Sequence, residues 1–224
     1  MSAPPFVGRQ KELAFLQAQV EDGRSVVLTG IFGIGRSALV RQLAGLMARE
    51  RTFVFARLDQ APGHVWHELY AGLFPRKASR HRREQPPVQW TRYRVLHERP
   101  ESRRRHVIVL DDVVRLSTAR LDLVRRLHER FQMITIAEDF LPAAERDALC
   151  AALWVRAPLR LGHLEAFASL EFFERAFREH QLTLDPGEVH GLARAVRGFP
   201  LGMQEALAAE LRRRGRLHRH LSPP

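Results

Sequence analysis

The chain has 224 residues, of which 45% are hydrophobic and 27% are charged, and its formal net charge is +11. This length and balance exclude an intrinsically disordered chain, and they predict one α/β domain, alone or with a small helical domain. No stretch approaches the ~20 consecutive apolar residues of a membrane-spanning helix, so we expect no membrane partner.

A short extended segment comes first, with Phe6, Val7, Gly8 and Arg9 preceding a predicted amphipathic helix that runs to residue 20. The apolar residues of that helix recur at the spacing of one helix face. We therefore expect the tetrapeptide to lie at a turn just before the first helix.

The stretch SVVLTGIFGIGRSALV, residues 25–40, predicts a strand, a glycine-rich loop and a helix in that order. A loop with few Cβ atoms lets consecutive backbone N–H groups converge on an anion at a helix N-terminus. The loop matches the phosphate-binding pattern G-x-x-x-x-G-K-[ST] except where Arg36 replaces lysine. We predict a nucleotide-phosphate site formed by Gly30, Gly33, Ile34, Gly35, Arg36, Ser37 and Ala38.

Arg36 keeps the charge of the expected lysine but changes its shape. Lysine is a slim point charge, whereas arginine is a planar fork that prefers bidentate contacts. An alternative origin is a general preference for arginine, since only Lys11 and Lys77 are lysines among 36 basic residues. Under either origin the geometry at this predicted catalytic position is altered. We therefore expect the protein to hydrolyse a bound nucleotide only slowly.

The next segments predict a helix packed on a sheet and then a second strand. The helix is expected from Ser37 to about Glu50, with Leu39, Leu43 and Leu46 on its buried face. Residues 52–59 alternate as a strand would.

Residues 64–73 predict a helix, and residues 76–87 (RKASRHRREQPP) predict a basic surface loop. This loop is either simply solvated or a contact for the phosphate backbone of DNA or RNA. Trp90 and Tyr93 follow on a helix, where we expect them to anchor the core.

The stretch HVIVLDDV, residues 106–113, predicts a buried parallel strand that delivers two acids to the same edge of the sheet as the glycine-rich loop. Asp111 is predicted to hold Mg²⁺ together with Ser37, and Asp112 to orient or deprotonate an attacking water. The alternative is that the acids cap the following helix.

The C-terminal third predicts a strand at 132–137, a short strand and helix at 157–177, and helices over 186–213. The break RGFPLG, residues 197–202, places Pro200 at a helix start, where its flat apolar ring suits packing against a purine. The basic C-terminal tail is expected to fray.

Four ordered segments, namely FVGR, the modified phosphate loop, VLDD and GFPL, resemble the P-loop ATPases of the AAA+/STAND (NB-ARC-like) type over about residues 5–210. The resemblance implies a three-layer α/β/α fold with a parallel sheet and a helical lid, divided into domains at 1–162 and 163–224. It also implies ATP or ADP as the ligand, with adenine beside Phe6–Arg9 and Pro200. The end of the 132–137 strand departs from the Thr-Thr-Arg of that family, because Ala137, Glu138 and Asp139 stand there.

Three hypotheses follow for function. The first is a nucleotide-dependent switch or assembly module with slow hydrolysis, which binds itself or a protein partner. The second is a DNA-binding AAA+ subunit that uses the 76–87 loop and the C-terminal tail, and the third is a nucleotide-locked scaffold. The net charge agrees with polyanion binding or with arginine-rich composition alone.

Cys150 is the only cysteine, so no internal disulfide forms and a cytoplasmic location is expected.

Overall fold

The structure is a computed structural model that describes residues 5–80, 86–102, 104–182 and 185–221, with side chains described to residue 79 and between 86 and 214 within those ranges. Its centre is a five-stranded parallel sheet in the order β2-β3-β4-β1-β5. The strands are β1 (Val26–Gly30), β2 (Arg51–Arg57), β3 (Arg105–Val113), β4 (Gln132–Glu138) and β5 (Leu159–Arg160). The predicted parallel sheet is confirmed.

Helices cover both faces of the sheet, and their bounds follow the apolar pattern of the sequence. Those that precede the last strand are α1 (Gln10–Glu21), α2 (Arg36–Leu46), α3 (Pro62–Leu73), α4 (Pro75–Arg80), α5 (Val88–His97), α6 (Thr118–His128) and α7 (Ala143–Ala152). Strand β3 shows the layering, because Val107 and Val109 pack with α1 and α2 on one face while Ile108 and Leu110 pack on the other. Such burial on both faces is typical of a central parallel strand.

Three further helices follow β5 and form a third apolar cluster. They are α8 (Ala166–Glu179), α9 (Pro186–Val196) and α10 (Pro200–Leu221), and the cluster is centred on Phe172, Phe173 and Phe177. Val7 from the N-terminal segment belongs to the same cluster, so the chain before α1 packs against the C-terminal helices.

Several sequence-based expectations are wrong in detail. Helix α2 ends at Leu46 rather than near Glu50. The Leu46 side chain was expected on the buried face but is 58% exposed, because Met47, four residues after Leu43, completes that face instead. Part of the expected 76–87 loop forms α4, while residues 81–85 lie outside the described part of the chain. Tyr93 is 60% exposed rather than a core anchor, although Trp90 does pack against the core. The main chain of α10 is helical to Leu221, and the fraying of the basic tail stays a prediction.

Candidate functional site

The loop between β1 and α2 has the backbone of an anion cradle. Gly33 and Gly35 both lie in the left-handed region, with φ of 80° and 92°, and Gly35 is the N-cap of α2. A Cβ on Gly33 would lie 2.7 Å from the Cβ of Leu201, so only glycine fits there. The glycines therefore give this loop the backbone geometry of an anion cradle at the N-terminus of α2.

A cavity of about 310 Å³ lies over this loop. Most of the residues predicted to bind nucleotide line it, namely Phe6, Val7, Arg9, Gly33, Ile34, Gly35, Arg36, Ser37, Ala38 and Pro200, together with the predicted catalytic Asp112. Gly8, Gly30 and Asp111 are not among the lining residues that the structure describes. Gly8 and Gly30 instead permit close chain approaches, since a Cβ on either would lie 2.9 Å from a neighbouring side chain.

Arg36 turns toward the end of β4 rather than into open solvent. Its Nη2 donates to Glu138 Oε1 at 2.5 Å and its Nη1 donates to the Ala137 carbonyl at 2.6 Å. The side chains of the pair are 7% and 8% exposed. The cation of the phosphate loop is thus already engaged by a buried carboxylate that also lines the cavity.

Arg9 joins the N-terminal segment to the β1–α2 loop and to the segment that follows β5. Its Nη2 donates to the carbonyls of Ile34, at 3.3 Å, and Gly162, at 2.5 Å, and its Nη1 bonds Glu12 at 2.7 Å. Buried polar groups need such partners. Arg9 is therefore bonded to the loop in this structure, and its role beside the base stays a prediction.

The two acids of β3 sit at an irregularity in the strand. Register with β4 shifts between Leu110 and Val113, and Asp112 has a φ of 56°, so the bulge turns its side chain toward the cavity. Asp111 is 9% exposed, and its Oδ1 accepts from the amide of Asp112 at 2.9 Å.

Asp112 has an arginine partner from the next strand. Arg57 Nε lies 2.9 Å from Asp112 Oδ2, and Arg57 Nη2 also bonds Asp59 at 2.8 Å. Burial raises the pKa of Asp112 and the charge of Asp111 adds to that rise, while Arg57 opposes it.

The residues fit a phosphate chain with magnesium. The helix N-terminus and its glycines suit phosphate oxygens. Ser37 and Asp111 carry oxygens of the hard type that Mg²⁺ prefers, and of the two only Ser37 lines the cavity. In the described ranges no group of three or more His, Cys, Asp and Glu side chains forms a separate metal cluster. The assignment of Ser37 and Asp111 to the metal stays a prediction.

Helix α10 begins directly on the β1–α2 loop. The Leu201 amide donates to the Gly33 carbonyl at 3.1 Å, and the Pro200 ring would be 3.8 Å from a Cβ on Gly35. Gly198, with φ of 73°, lets its carbonyl accept from the Leu164 amide at 2.8 Å. The β1–α2 loop and helix α10 are therefore in contact through main-chain atoms.

Three contributors to the site were not predicted from the sequence. Glu138 was noted only as an irregular strand end, and neither Arg57 nor Leu201 was singled out. Arg57 aligns with Asp111 only through the β2–β3 register, which no local pattern reveals. For Glu138 the sequence carried a partial signal, because its strand ends at the same edge of the parallel sheet as the glycine-rich loop.

A family model described as novel STAND NTPase 1 matches residues 2–216 of the chain. No curated protein matches the chain. Because this match covers nearly the whole chain, it confirms the resemblance that was inferred from the four sequence segments.

Solved structures with the same fold include P-loop proteins of archaea and bacteria. The Orc1 protein of Aeropyrum pernix, solved in complex with DNA, is 15% identical with a TM-score of 0.67, over 95% of this chain and 62% of that one. A Walker-type ATPase of Pyrococcus abyssi is 17% identical with a TM-score of 0.59, over 96% and 77%. The Holliday junction branch migration motor RuvB of Thermotoga maritima is 16% identical with a TM-score of 0.56, over 90% and 61%.

This chain thus spans about three fifths of the length of Orc1 and RuvB. The α/β/α sheet with C-terminal helices that was expected from the sequence is the fold they share. Within the described ranges, no helix is both long and apolar enough to pass through a bilayer.

Proposed function

Because the chain belongs to the novel STAND NTPase 1 family, we propose that it is a nucleotide-dependent switch that binds ATP or ADP with Mg²⁺ and hydrolyses ATP slowly. In this proposal Gly33–Ala38 hold the phosphates, Phe6–Arg9 and Pro200 flank the base, and residues 163–224 act as the lid. The closed form would assemble with itself or with a protein partner.

The observation that supports this proposal most directly is the Leu201 N–H···O=C Gly33 hydrogen bond. It ties the first turn of α10 to the loop that would hold phosphate, so a ligand that reshapes the loop also changes how the lid is seated. A ligand can bias two states only through contacts that differ between them, and in the proposed switch the Leu201–Gly33 contact would be such a contact.

Slow hydrolysis is supported by the buried ion pair at the cavity. Arg36, which is assigned to catalysis, is held by Glu138, and both side chains are buried. Magnesium, when bound, would neutralise charge on the phosphate oxygens, and Ser37 and Asp111 are the residues that would hold it.

The test combines thermal unfolding with hydrogen exchange of the α10 amides, in ATP, ADP and GTP, with and without Mg²⁺. We expect ATP and ADP to raise the melting temperature and to protect the Leu201 amide, because a ligand bound only by the native state stabilises it. Steady-state turnover should be slow.

Two glycine variants separate the switch from simple binding. Gly33→Ala should disturb the loop–lid contact, whereas Gly45→Ala, with nothing within 4 Å of the added Cβ, should behave as wild type. The absence of any shift with every nucleotide would contradict the proposal and favour the nucleotide-locked scaffold. Protection of the Leu201 amide in Gly33→Ala equal to wild type would contradict the loop–lid coupling.

A second candidate function is DNA binding, which is supported by the net charge of +11 and by the likeness to Orc1 solved with DNA. The basic segments proposed for it are residues 76–87 and the C-terminal tail. Binding to duplex DNA should fall steeply with salt, because lysine and arginine contacts release counterions from the phosphates. A lack of binding at 50 mM salt would exclude this function.

A further inference from the structure

The Arg36–Glu138 pair occupies the position where the cavity would be expected to offer a free positive charge. Both ends of the Arg36 guanidinium donate inside the protein, to Glu138 Oε1 and to the Ala137 carbonyl. Glu138 follows Ala137 at the end of β4, and it is paired in register with Gly30, the first glycine of the loop. The carboxylate therefore stands beside the anion cradle itself.

The other charged groups of the cavity wall do not restore a free cation. The wall contains four charged side chains among the described residues, namely Arg9, Arg36, Asp112 and Glu138. Arg9 donates hydrogen bonds to Glu12 and to two carbonyls. Arg36 donates hydrogen bonds to Glu138 and to one carbonyl. The formal charges of these four groups cancel.

Glu138 also has an unused acceptor. Its Oε2 is buried and finds no hydrogen-bond partner in the part of the chain that the structure describes. A buried acceptor without a donor is costly, and it repels a further anion placed beside it. Each additional phosphoryl group on a ligand brings more negative charge into a cavity that already contains two carboxylates.

We propose that Glu138 is the specificity-determining residue of this site, which holds Arg36 away from the ligand so that a nucleoside diphosphate binds more tightly than the triphosphate. This inference rests on the proposed nucleotide-binding function and deepens it. A diphosphate can be met by the loop amides and the α2 N-terminus, whereas the additional charge of a triphosphate requires the guanidinium that Glu138 retains.

The test is isothermal titration of ADP and ATP, with and without Mg²⁺, into wild type, Glu138→Gln and Asp139→Asn. We expect wild type to bind ADP at least about tenfold more tightly than ATP, and Glu138→Gln to bring the two affinities within about threefold by tightening ATP. Asp139→Asn is the matched control, because it removes the same charge from the next residue in the chain. The Asp139 side chain pairs with Arg160, at 2.9 Å, and not with Arg36. It should leave the ratio unchanged.

Each other outcome has a defined meaning. Equal affinities in wild type would overturn the inference. So would a Glu138→Gln variant in which both affinities change by the same factor or in which ATP binding weakens. If Glu138→Gln does not fold, a wild-type protein that does not prefer ADP still overturns the inference. If neither protein binds either nucleotide, the proposed function fails first, and the inference fails with it.

Discussion

Two arginine–carboxylate pairs flank the cradle, and they differ in burial. On the β4 side, the Arg36 and Glu138 side chains are 7% and 8% exposed. On the β3 side, the Arg57 and Asp112 side chains are 54% and 39% exposed. Both pairs join an acid at a strand end to an arginine of a neighbouring segment.

The difference in burial gives the two pairs different roles. Removing one partner of a buried pair leaves an uncompensated charge, whereas a solvated pair contributes little and exchanges its partners easily. Arg36 is therefore fixed as part of the folded structure. Asp112 can leave Arg57 for another ligand, so the acid of this site is available while the cation is not.

The largest effect is expected from Arg36→Ala. Because Glu138 would remain buried without its partner, we expect the free energy of unfolding to fall by about 3–5 kcal/mol in urea denaturation. The corresponding change on the other side, Arg57→Ala, is the control. Equal losses in the two variants would show that burial does not distinguish the pairs.

Much of the fold could be predicted from the sequence, because its signals are local. The apolar run before Asp111 and the run before Gly30 each identify a buried strand, and the glycine pattern identifies the turn into α2. The end of α2 was harder, since Leu46 and Met47 are both apolar and only tertiary packing decides between them.

The site could be predicted only in part, because its ion pairs join residues far apart in the chain. Arg36 and Glu138 are separated by 102 residues, and no periodicity connects them. Asp112 was expected at the cavity, but its positive φ and its contact with Arg57 depend on the bulge in β3 and on register with β2. Such features follow from strand pairing rather than from local composition.

A double-mutant cycle should sharpen the contrast between the pairs. The variant Arg36→Ala/Glu138→Ala should lose less stability than the sum of the two single variants, with a coupling energy of about 0.5–3 kcal/mol. The reason is that the double variant leaves neither charge stranded. The measurement is urea denaturation of all four proteins, and additive losses would indicate that the two side chains act independently.

The exposed pair should give a much smaller value in the same kind of cycle. For Arg57→Ala and Asp112→Ala we expect a coupling energy of about 0.2–1 kcal/mol, because water screens both groups and Arg57 also bonds Asp59. A coupling energy equal to that of the buried pair would mean that Asp112 is held as firmly as Arg36. Asp112 could then not leave Arg57 to contact a ligand.

Salt dependence is the smallest effect and the most direct test of burial. Raising the ionic strength from 0.1 M to 1 M shortens the screening length from about 10 Å to about 3 Å, but only charges that solvent surrounds respond fully. We expect the Arg57–Asp112 coupling energy to approach zero at 1 M NaCl and the Arg36–Glu138 value to keep most of its size. If both values fell together, Arg36 would be reached by solvent ions, and it would then also be free to meet a phosphate.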